Sequence, residues 1–182
     1  MAAEFKQIRI GDPGNALMLL AEVYTDARRA LAEFISNSAD AFDLSRKEKI
    51  SRDFVCEMIL GEHRGVLTSI TVKDNGTGIP HERLLELPER VAFSLKREDP
   101  QMKGHKGIGL LAFASFCQRM RIISRAEGRS ETYSADWTQD CLKDPDHNPV
   151  RIELVRDKPL RSAGTHVHLI GVSGDKQHQL RK

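Results

Sequence analysis

At 182 residues, 40 % hydrophobic and 30 % charged, the chain is long enough for one globular unit with a sizeable core. A formal charge of +2 is too small to argue for a nucleic-acid or membrane surface. No apolar run approaches the roughly 20 residues of a membrane span, and three scattered cysteines without metal-ligand spacing fit reduced thiols, so a cytoplasmic protein is expected.

From about residue 16 to 46 the apolar positions Leu17, Leu20, Val23, Leu31, Ile35 and Phe42 recur at three- and four-residue steps, which predicts helix. A second helical stretch is expected from about 49 to 61. Residues 66–73 alternate and are β-branched, predicting a strand that ends at Asp74. Asp74-Asn75-Gly76-Thr77-Gly78 then reads as a tight loop. Residues 80–106 are long, polar and weakly patterned, as expected of a functional lid. Residues 104–109 open a further helix with Ile108, Leu111, Ala112 and Phe116 as its apolar positions. Residues 121–125 and 132–136 flank the turn Ala126-Glu127-Gly128-Arg129 and predict a hairpin. Strands follow at 151–155 and 166–170. Residues 174–182 are polar and offer nothing to pack, which suggests a linker to a downstream region. One layer of helices on one mixed sheet is the natural packing of this order.

Chemistry concentrates in three segments. At helical pitch Glu33, Asn37 and Asp40 form one stripe, with Leu31, Ile35 and Phe42 expected to pack behind it. Such a stripe is either an ordinary solvated face or a place to hold a hydrated cation beside a base. Asp74, at the end of a strand, can accept a hydrogen bond from an exocyclic amine, although Asp-Asn-Gly is also a common turn. Gly104-His105-Lys106-Gly107-Ile108-Gly109 offers backbone N–H groups, a helix start and a lysine, the parts a polyphosphate site needs. Thr165, after Gly164, adds a small hydroxyl at a strand start.

Two other nucleotide motifs fail on context. Gly107-Ile108-Gly109-Leu110-Leu111-Ala112 has the wording of a dinucleotide fingerprint, but residues 97–103 before it cannot form the required buried strand. A Walker A loop needs Ser or Thr after its lysine, and Lys106 is followed by Gly107.

The run Glu33-x-x-x-Asn37-x-x-Asp40-Ala41, then Asp74-x-Gly76-x-Gly78, then Gly104-x-x-Gly107-x-Gly109, then Gly164-Thr165 resembles the GHKL ATPase superfamily. That group contains gyrase B, the ninety-kilodalton heat-shock chaperones, MutL, MORC ATPases and sensor histidine kinases. The resemblance implies a Bergerat α/β sandwich over residues 1–173, with ATP held between helices and sheet and a lid at about 80–106. It implies that Asn37 binds Mg²⁺, flanked by Asp40 and Ala41. Asp74 would recognise the adenine amine, with Gly76, Gly78 and Ile79 beside the ring and Thr165 supporting the contact. Lys106, Gly107, Ile108, Gly109 and Leu110 would form the phosphate-binding end of the lid, and Glu33 would be the general base.

The wording from Tyr24-x-Asp26 to Asn37 is closest to the chaperone and MORC branches, which implies slow ATP hydrolysis by the head of a larger machine, with ATP-linked lid closure and homodimerisation. A client protein or DNA would be engaged through other regions. The alternatives are a protein kinase of the anti-sigma or histidine-kinase type, and a nucleotide-sensing module without turnover. No third ligand is spaced to make a metal site of His166 and His168. Ser94 and Lys96 in the lid, and His147, are read as exposed polar residues. Trp137 and the few other aromatics are not interleaved with basic residues, so direct nucleic-acid binding has no support in the sequence.

Overall fold

The computed structural model describes residues 11–89 and 108–180. Six strands form one sheet: β1 (Cys56–His63), β2 (Val66–Asp74), β3 (Cys117–Arg125), β4 (Tyr133–Thr138), β5 (Arg151–Leu154) and β6 (Gly164–Val172). Their spatial order is β1-β2-β6-β3-β4-β5, and every pairing is antiparallel. The helices are α1 (Pro13–Glu22), α2 (Ala27–Lys47), α3 (His81–Glu86), α4 (Gln139–Lys143) and α5 (Gln177–Leu180), with 3₁₀ turns at Gly109–Ser115 and Gly174–Lys176.

The pleat sorts the sheet into two unlike faces. One cross-strand row reads Ile70, Leu169, Met120, Trp137, and the next on that face reads Val72, Val167, Ile122, Ala135, Ile152. Both rows lie under the helices and build the core with Phe34, Leu111, Phe113 and Phe116. The rows between them carry Thr71, His168, Arg121, Asp136 and Arg151, then Lys73, His166, Ile123, Ser134 and Glu153. That polar face holds an ion-pair chain in which Arg119 and Arg121 meet Asp136, and Arg121 and Arg151 meet Glu153. Alternation with period two places Asp74 and Thr165 on the apolar side, between sheet and helices. This is the two-layer Bergerat sandwich expected from the motifs.

Several elements differ from the expectation. The single helix over 16–46 is two helices, because Asp26 caps a new start. Its side chain accepts from the Arg28 N–H at 2.9 Å, and the chain at 23–26 leaves the helical path. The stretch 49–61 is not helical: Cys56–His63 is β1, paired with β2 through a turn in which Arg64 and Gly65 both have positive φ. That is the backbone of a type I′ hairpin. The strand is at the sheet edge with both faces open, so Met58, Ile59 and Leu60 stay exposed and show neither helical nor alternating periodicity. The helix expected after Gly104 is, within the described residues, the 3₁₀ turn Gly109–Ser115. Residues 174–180 do pack. Gln179 Oε1 accepts from the Ala27 N–H at 2.9 Å, Lys176 Nζ donates to the Thr25 carbonyl at 3.2 Å, and Leu180 joins the core. The tail closes the gap between α1 and α2. Lys106, Gly107, Ser94, Lys96 and most of the expected lid lie outside the described residues.

Candidate functional site

Helix α2 carries the site across its length. Its buried stripe is Ala27, Ala30, Leu31, Phe34, Ser38 and Ser45. Leu31 packs as expected, but Ile35 is 42 % exposed and Phe42 only half-buried. The packed face therefore lies beside the Glu33–Asn37–Asp40 stripe rather than behind it, and that stripe forms the rim between core and solvent. Asn37 is exposed there, while Glu33, Asp40 and Ala41 are half-buried.

Asp74 faces this helix from the end of β2. Ser38 Oγ donates to its Oδ2 at 3.2 Å, the Gly76 N–H donates to its Oδ1 at 2.9 Å, and the Thr165 N–H also donates to it. Burial holds the Asp74 proton to higher pH than an ordinary carboxyl, against the opposing pull of these donors. Gly76 is pressed against the helix: a Cβ there would lie 2.7 Å from the Ala41 methyl. Asp74 is thus locked to α2 by Ser38 on one side and by Gly76–Ala41 on the other. Ser38 was not singled out from the sequence, and its neighbours Asn37 and Asp40 gave no hint that the position between them faces inward.

The loop after Asp74 is pinned from below. The Asn75 side chain accepts from Val55 N–H and donates to the Asp53 carbonyl, each at 2.8 Å. Arg52 donates to the Asn75 carbonyl and pairs with Glu127. Gly78 has φ +68, and a Cβ there would fall 2.0 Å from the Arg125 carbonyl oxygen, so only glycine fits. Ile79 donates its N–H to Ser124 Oγ at 2.7 Å. Thr165 is buried and directly opposite Asp74 in the β2–β6 register.

The Glu33 end of α2 meets the other glycine motif. A Cβ on Gly109 would lie 2.6 Å from Glu33 Oε2, so the start of the 3₁₀ turn rests on this carboxylate. Ile108 beside it is buried, and Leu110 packs on the core. Tyr24, from the break between α1 and α2, hydrogen-bonds Glu33; burial and that carboxylate push the phenol up to about 12. Tyr24 thereby joins the candidate site, and sequence reading touched it only through its wording with Asp26.

Among the described residues no group of three His, Cys, Asp or Glu could cage a metal. Asn37 fits a different mode, in which a hard divalent cation takes one amide oxygen and completes its shell with water and phosphate. His166 and His168 share the polar face of the sheet, away from this site. Burial with Lys73 nearby lowers the pKa of both, that of His166 to about 4.

A family model described as the histidine kinase-, DNA gyrase B-, and HSP90-like ATPase matches residues 24–157. Curated relatives agree in kind. The chaperone protein HtpG of Mesorhizobium japonicum is 29 % identical over 172 residues, covering 84 % of this chain and 26 % of the relative. That of Halorhodospira halophila is 26 % identical over 139 residues, covering 68 % and 22 %. The chain thus spans about a quarter of the length of these relatives. Among the described residues no helix is long and apolar enough to cross a membrane. The ordered motifs, the sheet they sit on and the family match place the chain in the histidine kinase-, DNA gyrase B- and HSP90-like (GHKL) ATPase family, with a likeness to its chaperone branch.

Proposed function

We propose that this chain binds ATP with Mg²⁺ and hydrolyses it slowly, as the ATPase head of a larger chaperone-like machine. The observation that carries the reading is the pairing of Asp74 with Thr165 in one inward row, tied through Ser38 to the helix that bears Asn37 and Glu33. An adenine amine donates to Asp74, whose remaining donors come from the protein itself, while the flat ring lies against Gly76 and Gly78. Asn37 holds the cation, with Asp40 and Ala41 shaping the rim. Mg²⁺, when bound, neutralises phosphate charge.

Glu33 takes the proton from the attacking water, and Tyr24 and Gly109 fix its carboxylate in direction. The backbone at Ile108, Gly109 and Leu110, with Gly107 and Lys106 before them, serves the phosphates. Lid closure over ATP and homodimerisation follow from the same reading, as does action on a client protein or DNA through regions beyond this unit. A cytoplasmic setting suits an ATP-consuming machine. Glu33→Ala tests the assignment. It should bind ATP as the parent does and release phosphate at least about 100-fold more slowly. Unchanged turnover would refute the base, and label transferred to a partner protein would identify a kinase instead.

A further inference from the structure

Ser124 interrupts an apolar row. Met120 and Ile122 precede it on the inner face of β3, both buried, and the next inward position is a hydroxyl only 1 % exposed. The sheet register sets it in line with the base-recognition residues, because Asp74 pairs with Thr165 and Thr165 pairs with Ser124. Its oxygen meets three groups from two segments distant in sequence. It accepts from the Ile79 N–H at 2.7 Å, and it lies 3.0 Å from both the Gly164 carbonyl and Thr165 Oγ1.

A hydroxyl has one proton and two lone pairs. The Ile79 N–H occupies one lone pair, so one proton and one lone pair remain for two partners. The Gly164 carbonyl can only accept. If Ser124 donates to it, Thr165 must donate to Ser124 and shows the pocket a lone pair. If Ser124 donates to Thr165 instead, the Thr165 proton is free to turn toward the pocket. In both arrangements the direction of the Thr165 hydroxyl depends on Ser124, and the same atom anchors the backbone that follows Gly78.

We infer that Ser124 is a positioning residue for base recognition: it holds the Thr165 hydroxyl and the Gly78–Ile79 backbone in one geometry around Asp74, and so sets the preference for an amino over a keto purine. The inference rests on the ATP-binding reading above. A hydroxyl that merely stabilised the fold would, when removed, weaken all nucleotides by one common factor. A positioning hydroxyl acts on the amine-bearing base alone.

The test is calorimetric titration of the chain and its Ser124→Ala and Ser124→Thr variants with ATP, GTP and the triphosphate of unsubstituted purine riboside. Ser124→Ala should lose about ten-fold in ATP affinity while GTP and the unsubstituted purine change little, so the ATP-to-GTP ratio narrows. Ser124→Thr, which keeps the hydroxyl, should restore the ratio. Thr165→Val, close in shape and lacking the second hydroxyl, should narrow it as Ser124→Ala does, and it serves if Ser124→Ala does not fold. Equal weakening of all three nucleotides, or an unchanged ratio in Thr165→Val, overturns this inference alone. Failure of the parent chain to bind ATP overturns the nucleotide reading and this inference with it.

Discussion

Gly109 and Glu33, 76 positions apart in the chain, are in such close contact that a methyl group on Gly109 would lie 2.6 Å from the Glu33 Oε2. The start of the Gly109–Ser115 turn is therefore shaped around the carboxylate proposed as the base. A Gly109→Ala substitution must push that carboxylate aside or shift the turn. It should cost about 1–3 kcal/mol in stability and lower phosphate release with little change in ATP affinity. Thermal melting and a phosphate-release assay on the same sample separate the two effects.

Tyr24 supplies Glu33 with a hydrogen-bond donor. Tyr24→Phe removes the donor that fixes the direction of the Glu33 carboxylate, so phosphate release should fall by about 3- to 10-fold with little change in ATP affinity. Unchanged phosphate release would show that Tyr24 does not act on the base.

Gly78 sits at φ +68 with its missing Cβ aimed at the Arg125 carbonyl 2.0 Å away. Gly78→Ala combines left-handed strain with a backbone clash and should cost at least about 2 kcal/mol. Gly128, which also has positive φ but open space around it, is the control. Gly128→Ala should cost only about 1 kcal/mol, as read by denaturant titration of both variants.

His166 lies half-buried near Lys73, His168 and Glu57, and burial lowers its pKa to about 4 from the ordinary 6.5. The unfolded chain therefore binds more protons at this site than the folded chain between those values. Stability rises with pH across that window and is lost as pH falls from about 6.5 towards 4. His166→Gln should flatten this part of the stability profile, measured as melting temperature against pH. A profile identical to that of the parent would contradict the assignment.

How far the fold was legible in the sequence follows from where each pattern gets its regularity. Residues 66–74 lie in a central strand with one face on the core, and their alternation marked them; the strand expected at 166–170 is likewise central and runs over 164–172. β1 has no such constraint because it is an edge strand open on both faces, and its apolar cluster read as helix. The α1–α2 break was hidden because the apolar spacing resumes after Asp26. The carboxylate, amide and glycines of the candidate site were proposed from motif order, since their chemistry restricts residue type. Ser38, Ser124 and Tyr24 act through contacts made only when distant segments meet, and nothing local distinguishes them from other polar residues.

The most direct measurement is the ATP affinity of Asp74→Asn beside the parent chain, in Mg²⁺, by calorimetry. Asn keeps the size of Asp74 but replaces one acceptor oxygen by a donor, which opposes an exocyclic amine. The account predicts that the parent binds ATP and that the folded variant loses about 100-fold or more in affinity. Equal affinity in the two proteins would contradict Asp74 as the recognition residue and, with it, the site described.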